Sequence, residues 1–167
     1  MLQGKVNLVS SDGDTPQAAV GDVYSSKGNT WVYCQATAAT IAAYSACSGS
    51  LTGGPAAVEE ATTTTATALG TAGGFACVPQ FAVGASEYFW GLVESLSGLS
   101  WDGSTTVKVL AANVTAGNLL YSTATDGVLD DTSAGSTIPL VGAVLTETVT
   151  TQEAADFITF RRMGWLK

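Results

Sequence analysis

Among its 167 residues the chain has no histidine, which removes the Ser–His and Cys–His nucleophile pairs and any zinc site built on imidazole. Paired carboxylates are the remaining route to acid–base chemistry, since a glycosidase needs two, roughly 5–10 Å apart, with one held protonated. The pairs on offer, Glu59-Glu60 and Asp130-Asp131, are neighbours in polar stretches, where solvated surface charge is the simpler reading. Asp12-Gly13-Asp14, and Asp126 with Asp130 and Asp131, bring oxygen ligands together. Neither set follows the calcium loop of an EF-hand, and Asp-Gly is a favoured hairpin turn. Cys34, Cys47 and Cys77 are odd in number and far apart, so no disulfide framework and no CxxC clamp is written here, and small buried thiols are expected. The glycine stretches "GSLTGG" and "TAGG" lack the strand-before, helix-after setting of a phosphate cradle. The sequence therefore assigns no catalytic, metal or cofactor residue, and the expectation is a protein that is not an enzyme.

Charge narrows the partners. Six Lys plus Arg stand against fourteen Asp plus Glu, a formal net charge of −8, and such a surface repels phosphate backbones. The adjacent basic pair Arg161-Arg162 is no basic stripe, so direct nucleic-acid binding is not expected. The opening "MLQGKVNLVSSDGDTPQ" carries no apolar segment of a secretory signal, and no apolar run approaches a membrane span. A soluble chain made in the cytosol, without a membrane partner, is the expectation. Of the four tryptophans, Trp31 and Trp90 sit in strand-like apolar runs and should be core, while Trp101 and Trp165 flank polar or terminal sequence and are the candidates for an interface.

These groups have to be positioned by short strands. Residues 1–19 show neither helical nor sustained alternating periodicity and read as an extended N-terminal arm; residues 20–167 read as a single β domain. "VGDVYSSKGNTWVYCQA" is a hairpin turning at Lys27-Gly28-Asn29. "TAATIAAYSAC" alone would pass for a short helix on alanine propensity. A second copy changes that reading, because "AATIAAYSAC" (38–47) lies over "AANVTAGNLL" (111–120), matching Ile41 with Val114 and Ala43 with Ala116. Gly117-Asn118 makes the second copy strand–turn–strand, so the first should bend at Tyr44-Ser45. The stretch "GSLTGGPAAVEEATTTTATALGTAGG" reads as loop and edge strand, "EYFWGLVESL" as a central buried strand, and "TTVKVLAAN", "TIPLVGAVLTETV" and "ADFITFRRMGW" as further strands. The fold class is all-β: a compact barrel or sandwich of short antiparallel strands.

In this order, "VGDVYSSKGNTWVYCQATAATIAAY", "VPQFAVGASEYFWGLVESLSG", "VTAGNLLYSTATDGVLDD" and "IPLVGAVLTETVTTQEAADFITFRR", the chain resembles the head decoration, or capsid cement, proteins of tailed bacteriophages over about residues 20–162. The Thr/Ala loop and the closing "MGWLK" have no counterpart in that plan. The resemblance implies a virion structural protein on the outer face of the capsid, often a homotrimer, that clamps neighbouring copies of the major capsid protein and has no active site. Leu2, Val6 and Leu8 of the arm, Trp101, Trp165 and the pair Arg161 and Arg162 are the residues assigned to contacts with the capsid or between copies. The alternative is a head-fibre or adhesin domain that stacks Trp101 on host-surface carbohydrate.

Overall fold

The computed structural model describes residues 6–37, 39–49, 57–60, 75–95, 107–133 and 137–165, and among them every regular element is a β-strand. The all-β reading holds. β1 (Val23–Ser26) and β2 (Asn29–Ala36) form the expected hairpin, paired Ser26↔Asn29 through Val23↔Val32. Its two-residue loop has both φ angles positive, 50° at Lys27 and 78° at Gly28, the geometry whose twist matches the flanking strands.

Around β2 the chain builds a ring. β3 (Cys47–Gly49), β4 (Ala57–Glu60), β5 (Phe75–Cys77) and β6 (Tyr88–Ser95) follow in sequence. β2 pairs parallel with β4, β4 antiparallel with β3, β3 with β5, and β2 antiparallel with β6. An isolated bridge, Val78↔Leu92, bonded both ways at 2.9 and 3.1 Å, returns the end of β5 to β6. The second half is β7 (Lys108–Ala111), β8 (Leu120–Ser122), β9 (Leu129–Asp130), β10 (Pro139–Leu145) and β11 (Glu153–Trp165). It closes as a barrel in the order β10-β11-β7-β9-β8.

The two rings are the same construction. β7 pairs parallel with β9 as β2 does with β4, and antiparallel with β11 as β2 does with β6; β8 pairs with β9 and β10 as β3 does with β4 and β5. The correspondence extends to single bonds. Ile41 bridges Val83 and Val114 bridges Val149, each pair bonded twice at 2.9 Å. The turn bond from Ser45 N to Ala42 O recurs from Asn118 N to Thr115 O, and the bond from Tyr44 N to Pro79 O recurs from Gly117 N to Leu145 O. Tyr44 (φ 67°) and Gly117 (φ 82°) are the left-handed residues of the two turns. The short sequence repeat is thus the visible part of a duplicated barrel, and "TAATIAAYSAC" bends at Tyr44 as its second copy predicts.

A shared core joins the halves. One buried cluster takes Trp31, Tyr33, Trp90 and Leu92 from the first ring and Val109, Leu120, Leu140, Phe157 and Trp165 from the second. β11 makes the joint because its tail runs on past the register shift between Val141 and Ala143, where Gly142 has φ 97°. Thr159 Oγ1 accepts from Ser95 N at 2.7 Å and donates to Ser95 O at 3.0 Å, and Trp165 Nε1 donates to Cys47 O at 3.3 Å. Gln80 clasps the backbone of Lys108, accepting from its N–H at 2.9 Å and donating to its carbonyl at 3.0 Å. A second, smaller cluster fills the first ring alone, around Val32, Cys34, Ile41, Val58, Phe89 and Val93.

Three expectations change. The sheets are mixed, since each ring needs one parallel pair to close, and β11 is long at 13 residues. β4 is interior, lying between β2 and β3 with Val58 fully buried, where an edge strand was expected. Residues 6–19, read as an arm, lie back on the domain, with Val6, Leu8 and Ala18 packed against the shared core.

Candidate functional site

The N-terminal segment is held by an aromatic stripe. Alternate residues of β2 and β6 place Trp31, Tyr33, Tyr88 and Trp90 on one face. Tyr33 stacks on Tyr88 (centroids 6.1 Å apart, 14° between planes) and tilts against Trp90 at 4.9 Å, while Tyr24 of β1 meets Trp31 and Trp90 at 5.7 and 6.0 Å. Over this stripe the Tyr33 hydroxyl donates to Asp12 Oδ2 at 2.7 Å and accepts from Gln17 N at 2.9 Å. Asp12 N donates to Tyr88 O and Tyr88 N to Gly13 O, at 2.8 and 3.0 Å. Glu87 Oε2 accepts from Ser11 Oγ at 2.6 Å and from Gly84 N at 2.8 Å. The environment follows: burial, with the Asp12 carboxylate beside it, pushes the Tyr33 phenol up to about 12, and the bonds from Ser11 and Gly84 lower the Glu87 carboxyl.

Among the described residues the first sheet leaves one edge, the outer side of β1, open. In the hairpin ladder Asp22, Tyr24 and Ser26 bond toward β2, as the 2.8 Å bond from Tyr33 N to Asp22 O fixes. The N–H and C=O groups of Val23 and Ser25 therefore aim away from β2, and among the described residues they meet no partner. Val23 is 44% exposed; among the described residues Val9 on the N-terminal segment, at 83%, and Leu119 beside the Gly117 turn, at 42%, are the other exposed large apolar side chains. An open strand edge with apolar residues exposed is equipped to bind another chain by backbone pairing. Among the described residues the second barrel is closed and offers no such edge.

The acidic residues hold turns. Asp131 Oδ2 accepts from Thr115 N at 2.9 Å and Asn118 Nδ2 at 2.8 Å, pinning the turn before β8, and these bonds lower its carboxyl. Asp130 Oδ1 accepts from Thr132 N at 2.8 Å. Among the described residues no three histidine, cysteine, aspartate or glutamate side chains converge as ligands for a metal. The cysteines lie in the first ring, all fully buried, with Cys34 Sγ 3.3 Å from Val32 O and Cys47 Sγ 3.4 Å from Ser45 O.

The residues assigned to contacts separate. Val6 and Leu8 cover their own core, and Trp165, expected at a surface, is 6% exposed and bonded to the first ring. Trp165 misleads because the closing sequence looks terminal, although β11 runs back through the core. The backbones of Arg161 and Arg162 lie in β11, but their side chains, like Leu2 and Trp101, fall outside the described residues. The Val23 and Ser25 edge is the feature that sequence missed; "VYSS" ahead of Lys27-Gly28 marks a strand without telling whether its outer side is covered. No match to this chain is found among protein-family models, curated proteins or solved structures.

Proposed function

We propose that this chain is a virion structural protein that decorates the outer face of a tailed-phage capsid and stabilises the mature shell by bridging copies of the major capsid protein, as a homotrimer. One observation carries most weight: the described residues of each stretch of the sequence resemblance fall on the strands and turns of two like barrels that share a core. A doubled β module with an acidic surface and an open strand edge suits a protein whose work is contact. A cement acts by binding the expanded shell and not its precursor, and adds stability of RT ln(1 + [L]/Kd) for each occupied site. Bridging several subunits then turns modest contacts into slow release.

Counting copies tests the reading. In gradient-purified particles, quantitative mass spectrometry should find about one-third to one copy of this chain per major capsid protein, as symmetric occupancy of a closed shell requires. A ratio below about one-hundredth, too few to cover a lattice multivalently, would end it.

A further inference from the structure

The first ring carries three thiols in one interior. Cys47 and Cys77 are direct partners across the antiparallel pair β3 and β5, and both are fully buried. Directly opposed residues point their side chains to the same face with Cα atoms about 4.5–5.5 Å apart, inside the range of about 4.4–6.8 Å that a disulfide spans. Cys77 has little freedom on its other side, because a methyl group at Gly91 would lie 2.8 Å from its Sγ. Cys34 belongs to β2, which pairs with β1, β4 and β6 and with neither β3 nor β5. Hydrogen bonding from the Cys34 and Cys47 thiols lowers Cys77, whereas burial raises Cys34; the thiolate is the reactive form.

We infer that Cys47 and Cys77 are an oxidisable pair, joined as a disulfide when the folded chain meets a peroxide, with Cys34 left as a free thiol. Cys77 is the nucleophile: its sulfur attacks one peroxide oxygen, the O–O bond breaks, and sulfenic acid and water form. The Cys47 sulfur then displaces the hydroxyl from Cys77 as a second water. The two thiols lose two hydrogens and two electrons, and the peroxide takes both. The bond staples β3 to β5 and closes the chain between them into a loop, restricting the unfolded state.

The test uses the whole chain, purified reduced and folded, treated with hydrogen peroxide, quenched, then alkylated in denaturant and digested without reduction. Alkylatable thiols should fall from three to one per chain, the surviving one mapping to Cys34, with a Cys47–Cys77 peptide pair within single chains and a raised thermal midpoint. Cys34→Ser should leave the reaction intact, and Cys47→Ser should leave no disulfide. Three alkylatable thiols after treatment, a bridge that includes Cys34, a link between chains, or sulfinic acid on Cys77 with Cys47 free would each overturn the inference. The unmutated chain alone decides it if Cys47→Ser does not fold.

Discussion

Tyr33 joins the N-terminal segment to the barrel wall through one oxygen. Fully buried, it donates a hydrogen bond to Asp12 and accepts one from the Gln17 amide, so Tyr33→Phe keeps the ring stack on Tyr88 and deletes both bonds. A hydrogen bond to a charged group contributes about 1.5–3 kcal/mol, and a loss of that size is expected, with faster hydrogen exchange at the Asp12 and Gln17 amides. The phenol also sets a pH limit. Its folded pKa is raised from 10.0 to about 12, so the neutral form supplies stability that is complete below the unfolded value and is lost as pH rises through the folded one. Stability should fall between those two values, and Tyr33→Phe should remove that part of the alkaline slope. An unchanged slope in the variant would show that another group governs it.

At the level of elements, the duplicated turns provide their own control. In the second barrel Thr148 Oγ1 accepts from Ala116 N at 3.1 Å, one residue before the Val149 bridge. The matching position in the first is Ala82, one residue before the Val83 bridge, and the Ala43 amide there has no partner among the described residues. The site is roomy, opening on a hollow of about 460 Å3 lined by Thr40, Ile41, Ala42, Ala82, Val83 and Gly84. Ala82→Thr should supply the absent bond and raise stability by about 0.5–1 kcal/mol, the usual net gain of one hydrogen bond. A denaturant midpoint at or below that of the parent chain would refute the equivalence of the two turns. How much of this was legible follows the same line. Strands with alternation or dense apolar runs, such as β6 and β7, announce themselves, as does the repeat around Ile41 and Val114. The rest of the duplication is carried by backbone bonds such as Thr37 N to Val58 O and its echo from Ala112 N to Leu129 O, which any side chain makes and composition cannot record. The open side of β1 is hidden for the same reason: an edge is defined by what fails to pair with it.

Across the whole molecule, duplication would suggest two independent barrels, and the packing argues against it. The tryptophans of the first ring are not enclosed by that ring alone: Trp31 and Trp90 share a cluster with Phe157 and Trp165 of the second, and Gly127 sits so close to Ser45 that a methyl group there would lie 2.5 Å from its Cβ. Through Thr159 and Trp165, β11 bonds to Ser95 and Cys47 of the first ring. A core shared by both rings predicts one transition, as small single domains show. Thr159→Val tests this with nearly constant shape, removing the hydroxyl that serves both the N–H and the C=O of Ser95. Loss of a buried partner costs about 1–3 kcal/mol, and that cost should appear equally in the amide protection of β6 and of β10, with a single lower calorimetric peak. If the barrels were independent, the loss would stay in one of them or the peak would split. For the bridging role proposed above, the coupled arrangement means that strain applied at one barrel is resisted by the stability of both.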